Sequence, residues 1–329
     1  MRKLLYVLSF FFLLSGFAQE KKLVTVHKAM ELMGSRFDIT VVSSNEDLGY
    51  INIEEAASEI QRIENMISVW NPDSETSLIN SNAGIKPVQV SQELFMLIER
   101  AKQISEITDG AFDISFASID SIWKFDGSMG KMPSPEEVSE SVKKISYEKI
   151  KLNPEDGTVY LSQTGMKISF GAIGKGYAAD RAKELLVSKQ VLGGIINAAG
   201  DLTTWGTKAT GDKWMIGIAD PLSREKIFSW LPIVESSMAT SGNSEKFVTF
   251  DETKYPHILD PRTGYPSTGI NSVSIFAKSA ELCDALATAV YVMGKKDGLA
   301  LINQLGGTEV ILVDDTNTVY KSSGILMNE

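Results

Sequence analysis

Asp284 and Thr288 stand four residues apart in the stretch LCDALATAV. On a helix that spacing puts a carboxylate and a hydroxyl on one face. Every other residue of the stretch is apolar or small, so the helix reads as buried nearly all round. A carboxylate there needs a partner, because an unpaired buried charge is very costly. The partner is either a lysine or arginine, or a hard cation. Carboxylate plus hydroxyl oxygen suits magnesium or calcium rather than zinc.

A second stretch, SFGAIGKGYAAD at 169–180, crowds Gly171, Gly174 and Gly176 around Lys175. It misses both common nucleotide fingerprints. Gly176 follows Lys175 where G-x-x-x-x-G-K-[ST] needs a hydroxyl, Ser169 stands where that pattern needs its first glycine, and G-x-G-x-x-G also fails. The ingredients of an anion site remain: flexible backbone, the positive end of a helix dipole, and a point charge on Lys175. A tight strand-to-helix turn with a solvated lysine is the plainer alternative. Histidine chemistry has a short list, because the chain holds only His27 and His257.

These residues need elements to position them. LVTVHKAMELMGSRFDITVVS at 23–43 reads as two strands around a Met33–Gly34 turn. Ile53, Ala56, Ala57, Ile60, Ile63 and Ile67 recur at helical spacing, which predicts a helix over 51–69. The following SVWNPDSETSLINSNAG reads as polar and turn-rich, and helix resumes over 92–107. MPSPEEVSESVKKI predicts a capped helix, KISF at 167–170 a strand, and 176–188 a helix. GIINAAGDLTTWG reads as strand and turn, with Asn197 and Asp201 shaping the turn. WMIGIADP and IFSWLPI read as strands, HILDPRTGYP as a loop, and VSIFAKSAELCDALATAVYVMG as strand then helix. A hairpin around Asp315 to Asn317 closes the chain. Strands and helices mix without regular alternation, which predicts α+β rather than a doubly wound sheet.

Met1 to Ala18 is a basic start followed by an apolar run, with Gly16 and Ala18 as small residues at its end. That pattern predicts a secretory signal peptide over 1–18, and one domain over 19–329. Removing Arg2 and Lys3 with it takes the formal charge from -10 to -12. Such an acidic chain is a poor partner for nucleic acid or an anionic membrane. Cys283 is the one cysteine, so no internal disulfide forms. Its helical context predicts simple burial.

The segments MGSRFDI, SVWNPDSETSLIN, GAFDIS, FGAIGKGYAAD, NAAGDLTTWG, ATSGN, HILDPRTGYP and CDALATAVYVMG run in order along the chain. Together they resemble the ApbE family of FAD:protein FMN transferases. The resemblance implies an exported, magnesium-dependent enzyme of mixed α/β fold. It would move FMN from FAD to a threonine or serine of an acceptor protein, forming a phosphoester and releasing AMP. It also implies roles. Asp284, Thr288 and the carbonyl near Ala172 would hold Mg2+. Met33, Ala111, Phe112, Asp113, Lys175, His257 and Ile258 would contact FAD. Trp70 stands where relatives carry an aromatic against the isoalloxazine ring, as stacking chemistry suits. His257 would lie near the diphosphate, as orienter or general base, whereas Arg262 reads as a salt bridge within its loop. Two positions depart from the family: Ser169, where relatives commonly carry Asp, and Ser244, in a segment that often carries an aromatic. The acceptor implied is a subunit of a membrane redox complex or an exported flavoprotein, in the periplasm or cell envelope. The same residues would serve hydrolysis of FAD to FMN and AMP, and a non-catalytic exported flavin-binding protein is a rival of a different class.

Overall fold

The computed structural model describes residues 22–119, 122–220, 223–233, 235–242, 247–250 and 253–325. The leader stretch 1–18 and Ser244 lie outside the described residues. In chain order the strands and α-helices are β1 Val24–Leu32, β2 Ser35–Ser43, α1 Glu46–Ile67, α2 Glu75–Ser81, β3 Val88–Gln89, α3 Gln92–Ile107 and α4 Pro135–Ser141. Then come β4 Ile150–Asn153, β5 Thr158–Leu161, α5 Gly174–Ser188, β6 Gly193–Ala198, β7 Asp201–Trp205, β8 Trp214–Asp220 and β9 Ser223–Ile233. The chain continues with β10 Ser237–Gly242, β11 Phe247–Phe250, β12 Thr253–Pro256, β13 Ile270–Ala277, α6 Ala280–Ile302, β14 Glu309–Asp314 and β15 Val319–Lys321.

The main sheet has eight strands in the order β1-β2-β6-β7-β10-β13-β14-β15. Every neighbouring pair in it is antiparallel. The architecture is therefore α+β, as the irregular alternation of elements predicts. Helices α1, α5 and α6 pack together and against this sheet around one large apolar core that includes Phe37, Ile60, Leu97, Ile196, Leu286 and Tyr291. Among the described residues, no helix is long and apolar enough to cross a membrane.

Local chemistry explains most boundaries. Helices α1, α2, α3, α4 and α6 begin at Asn45, Ser74, Ser91, Ser134 and Ser279, whose side chains each accept a first-turn amide. Ser134 and Glu137 form a reciprocal capping box at α4. Helix α5 is the exception: it starts after Ile173 and has no side-chain cap from its own entry residue. Helix α6 breaks at Gly294, whose φ of 78° and ψ of 177° are not helical.

Two expectations fail here. The polar stretch after α1 contains a short helix, α2, capped by Ser74 and held on the core by Thr76 and Ile79. KISF is not a strand. At Lys167 and Ile168 its backbone polar groups are satisfied by side chains instead of a ladder. The Asn80 amide accepts from Ile168 N–H at 2.8 Å and donates to its carbonyl at 3.0 Å. The Ser118 hydroxyl does the same for Lys167, at 2.8 and 2.9 Å, and Ser169 N–H reaches the Ile114 carbonyl at 2.9 Å. Asn80 is thus a stand-in strand partner for the segment that leads into α5. Asn80→Ala should lower stability by about 2 kcal/mol, since it orphans a donor and an acceptor beside a fully buried Ile168. Urea unfolding of the two proteins checks this.

Candidate active site

Helix α6 crosses α5 closely at Gly176. A Cβ there would stand 2.6 Å from the Ala280 carbonyl carbon and 2.9 Å from Asp284 Cβ, so only glycine permits the approach. The crossing carries the Asp284 carboxylate to the uncapped start of α5. Asp284 Oδ2 accepts from Gly176 N–H at 3.1 Å, and the carboxylate also accepts from Lys175 N–H. The missing cap of α5 is therefore supplied from α6, a charge the helix dipole favours. This narrows the anion-site reading of the glycine stretch, which stood beside a plain strand-to-helix turn. At least the Lys175 and Gly176 amides face a carboxylate of the protein itself.

Asp284 and Lys175 open onto a cavity of about 990 Å³, a size that suits a large organic ligand. Asp284 is buried, and Thr288 lies one turn further along α6 on the same wall. Thr288 Oγ1 is 3.2 Å from Ser241 Oγ on β10. Lys175 Nζ is 3.0 Å from Asp201 Oδ2. Asp201 begins β7, just after a tight turn through Ala199 at φ 55° and Gly200 at φ 109°, pinned where Gly200 N–H donates to Asn197 Oδ1 at 2.8 Å. Asn197 shapes the turn, as expected. Asp201 does more than expected: it is buried and faces the cavity.

Burial pushes the Asp284 carboxyl well above its usual range, and the charge of Asp201 adds to the push. Lys175 and the two α5 amides pull the other way. Burial likewise raises Asp113. Its two oxygens accept from Ser115 N–H and Tyr147 N–H, each at 2.7 Å, so Asp113 also braces the 113–147 segment. Burial pushes the Cys283 thiol up, in keeping with a structural role.

Most of the residues singled out in the sequence meet in this cavity. Ala111, Phe112 and Asp113 line one side, Ser169, Ala172 and Lys175 the entry to α5, and His257 and Ile258 the loop after β12. The His257 ring packs edge-on against Phe125, with centroids 6.5 Å apart. Met33 and Trp70 are not among the lining residues. Met33 occupies the β1–β2 turn at φ 52°, and its Cε lies 3.8 Å from where a Gly174 Cβ would be, over the start of α5. Trp70 is 92 % exposed, beyond the end of α1. Arg262 forms a two-pronged salt bridge with Asp260 inside its loop, at 2.9 and 2.8 Å. Asp201 and Ser241 are the site residues that the sequence did not single out for this face. The cue for Ser241 is a run of small hydroxyl residues, ATSG, on the strand beside α6.

The donor set fits a hard cation. No cluster of three or more His, Cys, Asp or Glu suited to a metal occurs among the described residues. The ligands that the family resemblance implies, the Asp284 carboxylate, the Thr288 hydroxyl and the carbonyl near Ala172, are all hard oxygens, and all three residues line the cavity. Among the described lining residues the charged side chains are three carboxylates and one ammonium: Asp113, Asp201, Asp284 and Lys175. A cation would relieve that imbalance, whereas a soft metal would find no thiolate or imidazole pair.

Comparison with known proteins gives the family. Residues 33–312 match the model of the ApbE family. A protein of Treponema pallidum (strain Nichols) named FAD:protein FMN transferase is 31% identical over 290 residues, covering 83% of this chain and 80% of its own. One of Klebsiella pneumoniae (strain 342) with the same name is 30% identical over 294 residues, covering 89% and 90%. The crystal structure of the ApbE protein from Thermotoga maritima superposes with a TM-score of 0.83 at 30% identity, over 91% of this chain and 97% of that one. Fold, cavity and sequence agree, and this chain belongs to the ApbE family.

Proposed function

We propose that the protein is a magnesium-dependent FAD:protein FMN transferase. It moves FMN from FAD to a threonine or serine hydroxyl of an acceptor protein. One observation carries the reading: the Asp284 carboxylate, the Thr288 hydroxyl and the Lys175 ammonium converge on a single cavity of about 990 Å³. The names of the T. pallidum and K. pneumoniae relatives support it.

Phosphoryl chemistry asks a protein mainly for positioning and charge stabilisation. FAD binds with its diphosphate toward Lys175 and α6. Ala111, Phe112, Asp113 and Ile258, which line the same cavity, are assigned to the rest of the molecule, whereas Met33 and Trp70, expected to contact FAD, stand outside the lining and are given no contact. Asp284, Thr288 and the Ala172 carbonyl would hold Mg2+, which supplies positive charge to the diphosphate and to the departing phosphate. The acceptor hydroxyl attacks the phosphorus on the FMN side. A P–O bond forms to the acceptor, and the bond from that phosphorus to the bridging oxygen breaks. AMP leaves with the bridging oxygen, and His257 takes the hydroxyl proton. His257→Gln should accordingly lower kcat about 100-fold with little change in FAD affinity, since general-base assistance is worth about 10²–10⁴. Paired turnover and flavin-binding titrations read the two effects apart.

The leader-like pattern of residues 1–18 supports a site of action outside the cytoplasm, with an exported or membrane redox protein as the acceptor. The test is to incubate the chain from about residue 19 with FAD, Mg2+ and an acceptor domain, with an EDTA control. A flavin-fluorescent acceptor band on a denaturing gel, with AMP released and both lost in EDTA, is the expected result. Free FMN and AMP without a band would make the enzyme a hydrolase. Intact FAD bound in stoichiometric amount would make it a flavin carrier.

A further inference from the structure

We propose that Asp201 gates diphosphate binding: by holding Lys175 it keeps the cavity closed to a diphosphate anion until a divalent cation is present. The inference rests on the flavin reading above. Lys175 is the one lysine or arginine among the described lining residues, and its ammonium is 3.0 Å from the Asp201 carboxylate. Asp201 is 5% exposed and its Lys175 partner is about one-third exposed, at 31% of the side chain. A pair so placed is only partly screened by water. The positive charge that an anionic ligand would seek is already satisfied from within the protein.

Two elements of the fold bring the pair together. Asp201 reaches the cavity because the Ala199–Gly200 turn, locked by Asn197, sets the first residue of β7 against the entry of α5. Lys175 reaches it because it is the second residue of α5, held in place by the Asp284 cap on the adjacent amides. The two side chains come from elements joined through the packing of α5 on β7. With Asp201 and Asp284 on the same cavity, a diphosphate arriving alone meets like charge. Arriving with a divalent cation, it does not, and Lys175 becomes available to its oxygens. Asp201 is thus a positioning residue that makes binding of cation and diphosphate mutually dependent, a coupling that is reciprocal by linkage.

The sign of the Asp201→Asn effect separates this from a purely structural role. Asparagine keeps the size of the side chain and an oxygen for Lys175, but removes the charge. A structural lesion would weaken ligand binding. Loss of the gate should strengthen it when no metal is present. The experiment is FAD binding followed by flavin fluorescence, in Mg2+ and in EDTA, for the parent, Asp201→Asn, Asp201→Glu and Asp201→Asn/Lys175→Met, with thermal melts of each. In EDTA, Asp201→Asn should bind FAD about tenfold more tightly than the parent, as one freed charge at an anion site warrants. Asp201→Glu should stay near the parent, and the double variant should lose the gain. An Asp201→Asn protein that melts normally yet binds no better in EDTA would overturn the gate. So would a parent that binds FAD equally well with and without Mg2+. A parent that binds no FAD even with Mg2+ would overturn the flavin reading itself, and the gate with it.

Discussion

Replacing Asp284 with asparagine is expected to abolish Mg-dependent turnover while leaving the fold at least as stable as the parent's. The two halves of this result have separate causes. The carboxylate would be the only charged oxygen of the cation site proposed for Asp284, Thr288 and the Ala172 carbonyl. On the proposed mechanism, losing it would remove several kcal/mol of charge stabilisation at the transferring phosphate, a fall in kcat of about 10³-fold or more. The fold is spared because asparagine keeps an oxygen that can accept from Gly176 N–H, so the cap on α5 survives. A buried charge pressed by burial and by Asp201 disappears at the same time. Melting curves supply an independent readout: Mg2+ should raise the parent's melting temperature and leave that of Asp284→Asn unmoved.

The pH dependence has a definite sign. The folded-state pKa of Asp284 lies above its ordinary value of 3.8. In the metal-free parent the folded state therefore binds more protons than the unfolded state once the pH exceeds that value. Stability contributed by this group is present below it and is lost as pH rises toward the folded pKa. The metal-free parent should thus lose stability with rising pH relative to Asp284→Asn, which lacks the titrating group. Urea midpoints at a series of pH values in EDTA measure the difference. A parent and variant that run parallel would mean that Asp284 is not destabilised by its burial.

What could be read without the structure was local. Asp284 and Thr288 share a face because four residues make about one helical turn. The Met33–Gly34 turn, the 92–107 helix and the closing hairpin follow from turn residues and apolar periodicity, which depend on near neighbours. What escaped was decided across the fold. KISF has the β-branched and aromatic character of a strand, yet Asn80, 88 residues away from Ile168, takes the place of a ladder partner. Asp201 looked like a turn residue because its pairing with Lys175 depends on how β7 packs on α5. Ser241 meets Thr288 only because β10 lies under α6. The glycine stretch shows the difference best. Its composition left an anion site and a tight turn both open, and the arrival of α6 turns two of its amides to Asp284 and gives Gly176 a packing role.

Gly176→Ala tests that packing role, and two opposed effects make its sign informative. Gly176 is a helical residue of α5, and alanine in place of glycine within a helix is favourable by about 1 kcal/mol on propensity alone. Against it, the added methyl would fall 2.6 Å from the Ala280 carbonyl carbon and 2.9 Å from Asp284 Cβ. The first obstacle is backbone at the first residue of α6, so it cannot rotate away; the helices must separate. Overpacking of this kind costs about 1–3 kcal/mol, and more where backbone must move. The expected result is a net loss of about 2 kcal/mol or more in urea unfolding, with the slope against denaturant unchanged. Separation of α5 from α6 would also draw Asp284 off the Gly176 amide, so the folded fraction should bind Mg2+ less tightly. Gly174→Ala is the matched control. Its nearest neighbour is Ile67 Cδ1 at 2.8 Å, the end of a flexible side chain that can turn aside. The Gly174 substitution should therefore lie within about 1 kcal/mol of the parent, since the propensity gain and the rearrangement nearly cancel. Equal stability for Gly176→Ala and Gly174→Ala would mean that the crossing has slack. Asp284 would then be held at α5 by its hydrogen bonds alone.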